Sequence, residues 1–215
     1  MRGLKALMVL SAIVSVPVFA EDNAVGVRAG MLGIGVEYSY RLSDRLTVRG
    51  GLNGSGIDFD DYEAGIHYDF NLNFDSLSVA VDVHPMKGPF RISGGFLRND
   101  NELSATSTPT TSIEVGDVVY QPGEVGTLRG GVGFDGTAPF FSLGWDFRYE
   151  KKLGVTLELG LVDQGSPIVT LTASGTLAGD SAFQQELARE RDGFQDALDD
   201  LHVYPFAMLG MAFRF

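Results

Sequence analysis

The last eleven residues, Pro205 to Phe215, constrain the fold more than any other stretch. Counting back from the C-terminus, Phe215, Phe213, Met211, Leu209 and Ala207 occupy every second position, with Arg214, Ala212 and Gly210 between them. Alternate side chains of a strand point to opposite faces. The segment therefore reads as a strand with one continuous apolar face ending on an aromatic, an unusual place for a strand of a soluble sandwich to stop.

The same alternation recurs upstream. Ala24 to Gly30 reads as a short strand, followed by Ile34, Val36, Tyr38, Tyr40 and Leu42, and residues 24–42 are equally readable as one strand or two. Leu46, Val48, Gly50 and Leu52 share a face after the turn Ser43–Arg45, and Leu77, Val79, Val81 and Val83 form the next set. Phe90, Ile92, Gly94 and Phe96 follow the turn Pro85–Pro89, then come Phe141, Leu143, Trp145 and Phe147, and Val155, Leu157, Leu159 and Leu161. Blocks of about ten alternating residues joined by turns are the sequence pattern of a transmembrane barrel.

The N-terminus sets the compartment. Arg2 and Lys5 precede an apolar run from Leu7 to Val18, and Val18-Phe19-Ala20 resembles a small-residue cleavage site. This reads as a secretory signal peptide over residues 1–20 rather than a membrane helix. No other stretch approaches the ~18 apolar residues of a spanning helix, and without one only a closed barrel satisfies every backbone group in lipid. Residues 1–20 carry Arg2 and Lys5 and no acid, so the remaining 195 residues carry −14 against −12 for the whole chain. That balance argues against nucleic acid or an anionic membrane surface as partner, and the lack of cysteine excludes a disulfide scaffold and thiolate metal sites.

The connections alternate in length. Ser43–Arg45, Pro85–Pro89 and Tyr149–Gly154 are short, whereas Gly54–Asp75, Asn99–Gly123 and Gln164–Leu201 are long. Short turns belong on the periplasmic side and long loops outside. Ile113–Tyr120 reads as a small hairpin about Gly116-Asp117. The stretch 180–201 is a helix candidate, with Ser181 and Gln184 as a capping box, an apolar stripe of Phe183, Leu187, Phe194, Leu198 and Leu201, and Gly193 as an interruption. It is expected outside the bilayer, packed over the barrel mouth or extending from it.

In its alternation, short turns and C-terminal strand, the chain resembles the OmpA-type eight-stranded domain and, more loosely, the opacity-type and porin-like outer-membrane families. The resemblance is specific at Pro139 to Phe147 and at the final strand, and only the barrel half of the OmpA type is expected to carry over. It implies an all-β, eight-stranded antiparallel transmembrane β-barrel over residues 21–215 with a helical extracellular insertion at about 180–201. It also implies the bacterial outer membrane as location, with contact to outer-membrane lipid and lipopolysaccharide. Leu209, Met211, Phe213 and Phe215 resemble the signal read by the outer-membrane assembly machinery. The resemblance names no activity, cofactor or extracellular ligand.

The faces opposite the apolar ones collect charge: Glu37, Arg41, Arg49, Asp82, His84, Arg91, Asp146, Arg148, Glu158 and Arg214. Small barrels are filled by side chains and buried charges have to be paired. These residues are therefore expected to form ion pairs that plug the lumen, with Glu158 paired to Arg49, Arg91 or Arg214. A narrow conduit lined by the same groups is the alternative. Asp58, Asp60, Asp61 and Glu63 match no calcium-loop spacing and read as a solvated acidic loop. Gly131 to Gly136 fits the dinucleotide pattern by letters, but Thr137-Ala138-Pro139 leads into a strand and supplies no helix N-terminus for a phosphate. His67 and His202, near Asp69 and Asp199 in sequence, are the residues a surface hydrolase would use, and no serine accompanies them in a deacylase-like context. A non-enzymatic barrel without metal or cofactor is the expectation.

Overall fold

A computed structural model describes residues 22–63, 66–134, 136–148 and 152–215. The signal-peptide reading of residues 1–20 lies outside the described residues, as do the side chains of Glu63, His67 and Arg148. The described residues form thirteen strands and two helices: β1 (Asn23–Gly30), β2 (Gly33–Ser43), β3 (Leu46–Glu63), β4 (Ile66–Val83), β5 (Phe90–Asn99), β6 (Glu102–Pro109), β7 (Ile113–Val115), β8 (Val118–Tyr120), α1 (Pro122–Val125), β9 (Leu128–Gly133), β10 (Thr137–Arg148), β11 (Leu153–Asp163), β12 (Ile168–Ala173), α2 (Ser181–Leu198) and β13 (Val203–Arg214).

Eight of the strands close a ring in the order β1-β2-β3-β4-β5-β10-β11-β13, every neighbour antiparallel. Closure runs through the C-terminal strand, where Ala24 pairs with Arg214 and Gly30 with Met208. Residues 24–42 are two strands, because Met31-Leu32 turns the chain between the paired Gly30 and Gly33. Gly33 has φ +90°, a left-handed conformation that favours glycine. The start of β1, the end of β13 and the short turns after β2 and β4 lie at one end of the ring. The insertions after β5 and β11 lie at the other, which short-turn logic makes the outer end.

The long loop expected at Gly54–Asp75 is a continuation of the hairpin. β3 and β4 pair without a break from Leu46↔Val83 to Glu63↔Ile66. Beyond the ring, β4 exchanges its partner β5 for β6, and β6, β9 and β12 add on in turn. The acids of this segment consequently fall on two faces, Asp58 and Asp60 on one and Asp61 on the other. Alternation inverts where the hairpin leaves the ring. Leu52, Leu77 and Val79 are apolar on the outward face, whereas Ile57, Phe59, Phe70 and Leu72 carry the inward parity and Asp58, Asp60, Asp69 and Asn71 the outward one.

Helix α2 runs unbroken from Ser181 to Leu198, so Gly193 does not interrupt it; a single glycine costs only about 1 kcal/mol. Its N-cap is Asp180 rather than Ser181. The Asp180 carboxylate accepts from the amides of Ala182 and Phe183, while Gln184 Nε2 donates to the Ala178 carbonyl. Phe183 and Leu187 are buried with Val115, Tyr120 and Val125, tying the helix to the expected β7–β8 hairpin. Phe194 and Leu201 of the predicted stripe are exposed. The helix packs along β12, where Gln195 Oε1 accepts from Val169 N–H at 3.0 Å and its Nε2 donates to the Pro167 carbonyl at 2.6 Å.

Candidate functional site

Inward parity decides what the ring encloses, and three layers result. The middle layer is ionic. β3 places Arg49 opposite Glu158 of β11, with Nη1 2.7 Å from Oε2 and Nη2 2.8 Å from Oε1. Arg49 Nη1 also donates to Glu37 Oε2 at 2.7 Å, and Nε and Nη2 donate to the two Asp82 oxygens at 3.1 and 3.2 Å. Arg91 bridges Asp146 (3.2 Å), Asp82 (3.4 Å) and Glu158 (3.3 Å). Ser142 Oγ donates to Glu158 Oε1 at 2.6 Å. Arg49, Asp82, Arg91 and Glu158 are each at most 4 % exposed. Among the described residues, no buried side-chain nitrogen or oxygen lacks a partner.

Glycines make the room. A Cβ on Gly144 would stand 2.6 Å from the Arg91 guanidinium, and one on Gly51 the same distance from Arg28 Nη2. Arg28 joins the network, although it is not among the ten charges expected from the sequence. Its Nη1 lies 2.7 Å from Glu37 Oε2 and 3.8 Å from Glu158 Oε2, and it donates to Asn53 and Ser78. The signal was present: Val25 and Val27 alternate with Gly26 and Arg28, so Arg28 takes the inward parity.

Of the ten predicted residues, Glu37, Arg49, Asp82, Arg91, Asp146 and Glu158 share this network. Arg41, His84 and Arg214 lie below it, around an open cavity of about 390 Å³ at the periplasmic end that also reaches Asp44, Lys87 and Asp146. Arg214 is thus not brought to Glu158. The His84 ring contacts Thr47 Oγ1 at 3.4 Å and the Gly88 carbonyl at 3.3 Å.

The outer layer is apolar. Leu97, Ala138, Val162, Phe206 and Met208 pack together with Leu32, which the β1–β2 turn folds into the mouth, and Phe140 packs edge-on against Phe206. Between this layer and the ionic one remains a space of about 10 Å³. Phe140 was legible as inward from the sequence; the other members come from strand stretches where the apolar residues change face.

Outside the ring, Phe59 stacks on Phe70 at 5.0 Å, and Phe70 on Tyr68 at 6.0 Å. An apolar hollow of about 160 Å³ lies between Phe194 and Leu198 of α2 and the strands β6, β9 and β12. Gly131 and Gly133 are strand residues of β9, with no helix N-terminus after them. His67 is paired in the backbone with Thr108 and Tyr62, and His202 is exposed beyond α2. No group of three or more His, Asp or Glu fit to hold a metal occurs among the described residues.

The outer surface of the ring exposes Val25, Val27, Ile34, Val36, Leu52, Val79, Phe96, Leu159, Leu209 and Met211, a belt no water-soluble barrel would carry. No described helix is long and apolar enough to cross a membrane; the strands do the crossing. The protein is a small eight-stranded outer-membrane β-barrel, located in the bacterial outer membrane.

Solved structures share this architecture. The chain is similar to CarO2 of Acinetobacter baumannii, at 20 % identity over 90 % of this chain and 98 % of that one, with a TM-score of 0.63. CarO of the same organism gives 20 % identity, 91 % and 98 % coverage and a TM-score of 0.62. No protein-family model matches the chain, and no curated protein sequence does.

Proposed function

We propose that this barrel is a structural or surface-interaction protein of the outer membrane whose lumen is shut, and that its working part is the extracellular sheet with α2. The observation that carries this reading is the fit between the ionic layer and the apolar one. Arg28, Arg49 and Arg91 are spent on Glu37, Asp82, Asp146 and Glu158, and the space above them, about 10 Å³, is at the lower limit for one water. The lipid-facing belt sits among outer-membrane lipid and lipopolysaccharide. Leu209, Met211, Phe213 and Phe215 serve the assembly machinery after export directed by residues 1–20. Catalysis has no part in this reading, since His202 and the exposed acids form no described constellation of nucleophile and base.

Planar-bilayer recording tests it. The wild-type protein is expected to give no steady conductance, and Glu158→Gln is expected to stay silent because the apolar layer remains. Steady wild-type current overturns the shut lumen in favour of a small channel. Current in Glu158→Gln alone makes the ion pairs the gate of a conduit.

A further inference from the structure

The five-stranded extension β12-β9-β6-β4-β3 has two edges, and the chain treats them differently. At β12 the Gln195 side-chain amide occupies a backbone N–H and a carbonyl. At β3 the pairing with β2 ends at Ile34↔Gly54, whereas the pairing with β4 runs on to Glu63↔Ile66. From Ser55 onward, no described strand lies along the outer edge of β3. Gly56 to Asp61 are all exposed. An unpaired strand edge is a template for another strand.

Side chains along that edge state what the strand must be. Asp58 and Asp60 stand on one face, with Asp69 paired beside Asp60. Ile57 and Phe59 stand on the other, and Phe59 continues through Phe70 to Tyr68 as an aromatic platform. A second copy of β3 laid against the first would set carboxylates beside carboxylates, and like charges across a strand pair are destabilising. The complementary strand alternates basic and apolar residues, the basic ones beside Asp58 and Asp60 and the apolar ones extending the platform.

We propose that the β3 edge from Ser55 to Asp61 binds an extended peptide segment of alternating basic and apolar residues by strand addition. Main-chain hydrogen bonds supply affinity and the two faces supply register. This inference rests on the surface-interaction reading above and names its partner class.

The test uses the full chain in phosphatidylcholine nanodiscs, with a fluorescent eight-residue Lys-Val alternating peptide as probe. Saturable binding is expected, together with slowed amide exchange at Ser55–Asp61. A peptide of the same composition with its lysines in one block should bind at least tenfold more weakly, as should one N-methylated at alternate residues. Asp58→Lys/Asp60→Lys, in an exposed hairpin, should reverse preference toward a Glu-Val peptide; heat-shifted electrophoretic mobility confirms that the variant is folded. Equal binding of the block peptide, indifference to the double substitution in folded protein, or binding without protection at Ser55–Asp61 overturns the proposal. So does no binding at all. Those results leave the shut lumen standing, which conductance alone decides.

Discussion

Arg49 and Glu158 grip each other across the full width of the barrel. They sit on β3 and β11, four places apart in a ring of eight, and join through two hydrogen bonds of 2.7 and 2.8 Å. A paired fork of this kind is among the stronger polar contacts a protein makes. Removing one partner of a buried pair typically costs about 3–5 kcal/mol, because the other charge is left behind. Glu158→Gln is therefore expected to destabilise the barrel by that order, read as a lower urea midpoint in detergent or liposomes. Asp60→Asn, at an exposed position, is expected to shift the midpoint little. Equal shifts would show that the network is not the structural keystone.

Facing supplies a second contrast. Leu159 is exposed on the lipid face, where an arginine costs roughly 2–4 kcal/mol at mid-depth. Thr156 points inside, pairing in register with Gly210. Leu159→Arg should lose far more folded protein than Thr156→Arg in liposome refolding assays, although crowding at Gly210 gives the second a cost of its own.

Glycine spacing supplies a third. Gly144→Ala would drive a methyl group into the Arg91 guanidinium, and overpacking of a filled interior costs about 1–3 kcal/mol. Gly94, on the lipid face, meets nothing within 4 Å, so Gly94→Ala should be neutral. Unfolding midpoints of the two variants against wild type check the pair.

The fourth concerns assembly. Phe215 donates its amide to the Asn23 carbonyl at 3.0 Å, beside the closing pair of strands. Deleting Phe215, or replacing it by Asp, is expected to deplete heat-modifiable folded protein from outer-membrane fractions. The same protein refolded in detergent should lose little stability. Undiminished folded protein in the membrane fraction would remove Phe215 from the assembly role.

Period-2 alternation made the ring strands legible except within residues 24–42, which read equally as one strand or two, since lipid outside and polar groups inside give each strand the same signature. The helix over 180–201 and the Ile113–Tyr120 hairpin were legible for similar local reasons. Strands β6, β9 and β12 were not. Glu102–Pro109 is mostly serine, threonine and alanine, Leu128–Gly133 is half glycine, and their pairing propagates outward from β4, to β6 and then to β9, rather than arising from their own propensity. The hairpin past Gly54 was hidden because glycines and aspartates read as loop when no neighbour is known. Arg28 escapes the pattern because the first strand is short, and the apolar layer does so because Leu97, Val162 and Met208 lie next to apolar residues of opposite parity.

The inversion of alternation between Phe74 and Leu77 gives the hairpin a waterline. Below it, Leu77 and Leu52 are stable only against hydrocarbon; above it, Asp75 and Asn73 are exposed on the same outward parity and are stable only against water. A barrel with uniform strands can ride up or down by a pleat at small cost. This one cannot sink without drawing carboxylates into lipid, nor rise without wetting leucines. In a thicker bilayer the lipid, and not the protein, is what has to give, by thinning around the β3–β4 wall while the shorter strands opposite permit more slack.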